Sequence, residues 1–287
     1  MAAMVNTKDL ITPETVPGKR SLRKFFRKPM NWIGIVLVLG VALVGIGAHW
    51  IAPYPADATN FSLALAAPSA QHWLGTDPLG RDVLSRIIYG TDASLLASVG
   101  AILAALIGGS VVGLIAGFFQ GSVLDEVLMR IMDAVLVLPP LVLAIALAFV
   151  LGHGIGNAMA AIAVIFSPQF ARVVRSKVLT VRTLPFVEAA QASGASSARI
   201  LLRHIFPSVV QPAIVLATLD LGSAIIVEAS LAYLGLGLQP PDPSWGFMIS
   251  SNLNYLSQAP WLIFGPSIAI ALSVFGVTMI GQGLGEL

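Results

Sequence analysis

The sequence predicts an all-α polytopic membrane protein with six transmembrane helices. Three observations carry this. The 287 residues are 56% hydrophobic and only 10% charged, with mean hydropathy +0.87, whereas soluble domains carry about 25% charged residues. Several apolar runs reach the roughly 20 residues a helix needs to cross about 30 Å of hydrocarbon. Those runs are continuous rather than alternating, which argues against a β-barrel. Cysteine is absent, so disulfides, zinc–thiolate centres, cysteine-held iron–sulfur clusters and thiol catalysis are excluded. The basic pI reflects charge at the N-terminus and in one internal loop, so no nucleic-acid partner is expected.

Residues 1–18 are polar and read as a disordered tail. They do not read as a signal peptide, because the first apolar run begins near residue 31 and is long enough to span. Residues 19–28 carry Lys19, Arg20, Arg23, Lys24, Arg27 and Lys28 and no acid. On a helix, Leu22, Phe25, Phe26 and Met30 would share the opposite face. This predicts a basic amphipathic helix on an anionic lipid leaflet, ended by Pro29. A plain positive-inside anchor explains the charges equally well. Either way residues 1–30 form a cytoplasmic tail, and 31–287 form the membrane domain.

The six spans are read at about 31–52, 92–119, 128–151, 156–174, 208–232 and 260–283. The external loop 53–91 holds Arg81 and Arg86 against Asp57, Asp77 and Asp82, and 233–259 holds no Lys or Arg. Segment 172–207 holds Arg172, Arg175, Lys177, Arg182, Arg199 and Arg203 against Glu188 alone. The positive-inside rule places that segment, the N-terminus and the C-terminus in the cytoplasm.

In the second span Ala93, Ala97, Ala101, Ala105, Gly109, Gly113, Gly117 and Gly121 recur at every fourth position. Such small residues let helix backbones approach closely. A four-residue repeat drifts about 40° per step on a 3.6-residue helix, so the ridge is expected to wind onto more than one neighbour. Within loop 53–91, Gly75-Thr76-Asp77-Pro78 reads as a helix start. Val83, Leu84, Ile87 and Ile88 then give one face of a short external amphipathic helix. Asp77, Gly80 and Asp82 lack the ligand count of an EF-hand.

Residues 183–207, TLPFVEAAQASGASSARILLRHIFP, are a polar, helix-prone island between two spans. Thr183 and Pro185 suit a helix start, and Gly194 a stop. Ser196 or Ser197 would cap a second helix over 198–206, with Pro207 opening the next span. A solvated loop whose arginines only set topology is the plainer reading. It leaves Phe186, Val187, Ala189 and Ala190 without a purpose.

Glu188-Ala189-Ala190, then Gly194, then Pro207 thirteen positions on, resemble the EAA loop of ABC-importer permeases. The common pattern has Ile and Leu where His204 and Phe206 stand here, but Arg203 through Pro207 resemble the peptide-permease variant. Gly75 through Asp82 resemble the same subgroup. So do Glu228-Ala229-Ser230-Leu231 with Gly235-Leu236-Gly237, and Gln239-Pro240-Pro241 with Pro243 through Gly246. The terminal Gly281-Gln282-Gly283-Leu284 is similar to the start of that family's tail. The resemblance runs from about residue 20 to the end, and it identifies the chain as similar to the C-type permease of dipeptide or oligopeptide importers. It implies the binding-protein-dependent (type I) ABC-importer fold in a bacterial plasma membrane. It also implies that Phe186, Glu188, Ala189, Ala190, Gly194, Arg203 and Pro207 serve ATPase coupling within a loop at 175–207. The implied partners are a second related permease, two cytoplasmic ATPases carrying ATP and Mg, and an external peptide-binding protein. No cofactor is expected in this chain, and no G-x-x-x-x-G-K-[ST] phosphate loop is present.

Asp220 and Glu228 fall in the fifth span, where charge costs about 2.5–3.5 kcal/mol on insertion scales and marks a function or a partner. Both are candidates for the translocation route, and a pair between Asp220 and a neighbouring subunit is the rival reading. Arg130 and Asp133 are spaced to pair locally. Pro139-Pro140 and Pro212 are expected kinks. Nickel or glutathione import by the same subfamily stays open. So does an ion-coupled secondary transporter using Asp220 and Glu228, against which the two halves show no inverted repeat. A membrane scaffold that moves nothing is the third alternative.

Overall fold

The computed structural model describes residues 25–286. The basic helix expected at 19–28 lies mostly outside the described residues; of it, Phe25–Arg27 are helical. Nine longer helices follow: α1 Pro29–Ile46, α2 Val83–Phe118, α3 Val123–Val137, α4 Pro140–Leu151, α5 Ile155–Val181, α6 Pro185–Ala192, α7 Phe206–Tyr233, α8 Trp245–Ser251 and α9 Trp261–Gly285. Helices α1, α2, α5, α7 and α9 are each long and apolar enough to cross a membrane, and the bent pair α3–α4 can supply a sixth crossing.

The centre of the bundle is α2 against α5. A Cβ at Gly113 would stand 2.9 Å from Val174 Cβ and overlap the Ala171 carbonyl. Gly109 meets Ser167 and Phe170 in the same way, and Gly117 meets Arg175 and Val178. Residue numbers rise together on both helices, so they run parallel. The intervening α3–α4 must therefore return the chain across the membrane as one crossing. The three glycines all face α5, so the expected winding onto a second neighbour does not occur along this half of the ridge. The row on α5 also steps by about four, and its drift matches that of α2, as in packing between two i±4 ridges.

Around this pair, α7 packs on α2 and α5, and α9 packs on α7 and α1. Gly34 on α1 and Gly276 on α9 accept each other's helix at Cβ distances of 2.9 Å to Met279 and Leu37. Lys28 pairs with Glu286, and Asn31 closes over Gly283. The two ends of the described chain therefore lie on one face, as an even number of crossings requires.

The second span begins earlier than expected. Asp82 is its N-cap, accepting from Ser85 N at 2.7 Å, so Val83, Ile87 and Ile88 form the first turns of α2 and no separate surface helix exists there. Gly75–Pro78 does not start a helix. Instead Asp77 accepts from Leu79 N, Arg81 N and Arg81 Nε at 2.7–3.0 Å. Arg86 donates to the Ala56 carbonyl at 2.7 Å, and buried Trp245 donates Nε1–H to the Ile87 carbonyl at 3.2 Å. Segments 53–82 and 234–260 are thereby fastened to α2.

The third span is the largest departure. Its halves meet at 100°, with Leu138 and Pro139 extended. Two successive prolines remove two helical N–H donors and set each preceding residue toward extended backbone. The expected Arg130–Asp133 pair does not form. Arg130 bonds Glu126 at 2.9 Å, and Asp133 bonds Arg172 of α5 at 2.6 Å. The bend turns the charged face of α3 onto α5, and that geometry selects the long-range partner.

Candidate functional site: the helical arm at 183–207

Arg182 ends α5 and fixes where the arm begins. Its guanidinium reaches the Gly117 carbonyl at 3.2 Å and Gln120 Oε1 at 3.3 Å, a cation at the carbonyl end of α2. Two residues later Leu184 is extended and Pro185 takes the first turn of α6, as the sequence suggests. Thr183 is not the cap; its hydroxyl donates back to the Thr180 carbonyl at 3.0 Å.

Only eight residues long, α6 lacks the length to be stable alone. It is held by Val187, which is fully buried among Leu114, Val174, Val178, Val181, Ile200, Ile205 and Val209. Ala190 and Ala195 pack on the edge of that cluster. The apolar residues of the island therefore face two ways: Val187 points inward, while Phe186, Glu188 and Ala189 are exposed. Ala190 is half-buried between them.

Gly194 N bonds Gln191 O at 2.9 Å and Ala195 N bonds Ala190 O at 3.1 Å. This is the Schellman arrangement, with Gly194 at φ +77°. A Cβ at Gly194 would meet nothing within 4 Å, so in this chain the glycine answers a conformational need, not a spatial one. Asparagine tolerates that region and β-branched residues do not. Gly194→Asn is accordingly expected to leave protease cleavage at 186–196 within about twofold of wild type. Gly194→Val should fray α6, measured as faster protease cleavage at 186–196.

The second arm differs from the simple helix expected at 198–206. Ser196 occupies the cap position without a side-chain bond, and one α-helical turn, Ser197–Arg199, leads into a π-helical turn at Ile200–Ile205. There Phe206 N reaches back five residues to Leu201 O. Pro207 lacks an N–H, and its ring crowds the carbonyl four residues back; the widened turn accommodates both. Arg203, Phe206 and Pro207 are exposed, and the π-helical turn that carries Arg203 packs against α6. Sequence reasoning missed Val187 as the anchor and Arg182 as the tether. No local signal separates Val187 from the apolar Phe186, Ala189 and Ala190 around it.

Asp220 lies midway along α7, partly buried, with Oδ2 unbonded. Glu228 is buried two turns on, with Oε2 unbonded and Ser94 of α2 beside its carboxyl. They occupy one helix but different surroundings.

Comparison with known proteins agrees with this architecture. Residues 109–287 match the family described as binding-protein-dependent transport system inner membrane component. Residues 17–68 match the N-terminal TM domain of oligopeptide transport permease C. The glutathione transport system permease protein GsiD of Shigella flexneri serotype 5b is 42% identical over 285 residues, 98% of this chain and 94% of that protein. The dipeptide transport system permease protein DppC of Alkalihalophilus pseudofirmus is 39% identical over 291 residues, 97% of this chain and 95% of that one. Among solved structures, an inward-facing MetNI methionine ABC transporter chain aligns with TM-score 0.55 at 19% identity, covering 70% of this chain and 93% of that chain; this likeness speaks to fold alone. With a short helical arm anchored to its bundle, five or six spans, and a family match over most of its length, the chain belongs to the binding-protein-dependent transport system inner membrane components and is a transport permease subunit, not an enzyme.

Proposed function

We propose that the chain is the C-type permease of an ATP-driven importer for di- or oligopeptides. The observation that carries this is α6, a short helix that presents Phe186, Glu188 and Ala189 outward while Val187 locks it to the bundle. Such an arm suits docking into a cytoplasmic ATPase. The identity of about 40% to dipeptide and glutathione permeases supports a peptide-like cargo. The remaining machine comprises a second related permease, two ATPases that bind ATP and Mg, and an external binding protein. The end of the bundle holding α6 and both termini faces the cytoplasm of a bacterial plasma membrane. Residues 1–30 form its tail and 31–287 the permease domain. Phe186, Glu188, Ala189, Ala190, Gly194, Arg203 and Pro207 form the coupling surface. Asp220 faces the route and meets the cargo's ammonium group, and Glu228 backs it from the α2 side. Glutathione is the second reading, favoured by the GsiD likeness.

Reconstituted with its partners in proteoliposomes, the transporter is expected to accumulate labelled dipeptide only with ATP and loaded binding protein. Glutathione uptake in place of dipeptide uptake selects the second reading. Uptake that ignores ATP and follows a proton gradient overturns both.

A further inference from the structure

The charged face of α3 is the strongest feature that the docking surface leaves unexplained. Along α3, Val123, Val127 and Ile131 are exposed, while Asp125 and Asp133 turn toward α5. Arg175 grips Asp125 with both nitrogens, Nε to Oδ1 and Nη2 to Oδ2, each at 2.8 Å. Asp125 also accepts from Gly121 N at 3.1 Å and is buried. Arg172 Nη2 bonds Asp133 Oδ1 at 2.6 Å. Between the helices lies an open cleft of about 560 Å³ lined by these four residues with Glu126, Met129 and Arg130.

The other side of the 100° elbow is fastened differently. Ala144 and Ala148 of α4 pack in one apolar cluster with Ala158, Ala161 and Ile162 of α5. A bidentate guanidinium–carboxylate pair is directional. Contacts between small apolar side chains lack that directionality and permit sliding. One arm of the elbow is thus pinned to the cytoplasmic half of α5, and the other rests on the outer half. Helix α5 runs to Val181, with three residues between it and the start of α6.

We propose that Asp125–Arg175 and Asp133–Arg172 form an ionic clamp that makes α3 move with the cytoplasmic half of α5. Displacement of α6 then reaches the elbow at Leu138–Pro139 and repositions α4. The four residues are positioning residues for translocation, acting through the elbow rather than by touching cargo. This rests on the transport reading above.

The cysteine-free chain allows a direct test on the assembled transporter, reading peptide imported per ATP hydrolysed. Asp133→Cys combined with Arg172→Cys removes the exposed pair, and a bis-maleimide spacer can then replace it covalently. The open double variant is expected to import about tenfold less per ATP, within the usual range of coupling effects. Cross-linking should restore the ratio to within about twofold of wild type, because a clamp that stays closed tolerates a covalent substitute. Asp133→Arg should likewise lose coupling, and adding Arg172→Asp should recover it. A normal ratio in both the open double variant and Asp125→Asn, or a further fall on cross-linking, overturns the clamp. Absence of ATP-driven uptake in the wild-type transporter overturns the transport reading instead.

Discussion

Val187→Asp is expected to release α6 from the bundle and to stop ATP-driven uptake while the protein still inserts in the membrane. Val187 is fully buried in the apolar cluster shared with α2, α5 and α7. Losing such a side chain forfeits about 1.5–3 kcal/mol, and an unpaired carboxylate in its place costs several more. Nothing else offsets that, because a helix of eight residues contributes almost no stability of its own. Undocking the helix is the cheaper outcome. Protease cleavage within 186–196 should rise sharply, and uptake should fall at least about tenfold, since the docking face is then no longer presented at a fixed angle. The companion variant Glu188→Ala changes only the exposed side. It should leave cleavage unchanged and still lower uptake. Slow cleavage and full uptake in Val187→Asp would show that α6 is held by something other than this anchor.

The second large effect is expected from Gly113→Leu. Its Cβ would stand 2.9 Å from Val174 Cβ and press on the Ala171 carbonyl, and backbone carbonyls cannot rotate away as side chains do. Overpacking costs about 1–3 kcal/mol, and more where backbone must shift. Here two helices would have to separate, and with them the neighbouring contacts at Gly109 and Gly117. A marked drop in the detergent-solubilised melting temperature is expected, with little folded protein recovered. Gly108, five positions earlier on the same helix, meets only Ser167 Oγ at 3.9 Å, so Gly108→Leu serves as the control. Equal melting temperatures for the two variants would mean that the α2–α5 seam does not limit stability.

The contrast between Gly108 and Gly113 shows what the sequence made legible. The four-residue ridge identified the glycines at the seam, because periodicity reports which side chains share a face. It did not identify the partner helix, because the matching row on α5 is of mixed composition, running through Ser167, Ala171 and Arg175. The charge pairs failed for a related reason. Arg130 and Asp133 are correctly spaced for a helix, but the 100° elbow presents Asp133 to Arg172, thirty-nine residues away in sequence. Spacing along one helix carries no information about the direction of a bend. Within 183–207, Pro185 and Gly194 were legible because each imposes a backbone conformation by itself. Val187 was not, since its role depends on residues from α2, α5 and α7 that assemble only in the fold. The span edges at 83 and 181 were missed because α2 and α5 continue beyond the hydrocarbon, where polar residues no longer interrupt a helix.

The π-helical turn at Ile200–Ile205 holds a residue more than an α-helical turn would. That surplus sets an angular phase between α6 and the span that follows. In an ordinary helix one residue corresponds to about 100° of rotation. The turn therefore fixes which side of α7, the one bearing Asp220 or its opposite, is aligned with the outward face of α6. Sequence length in this short stretch acts as the dial by which the two ends of the subunit are set to the same bearing.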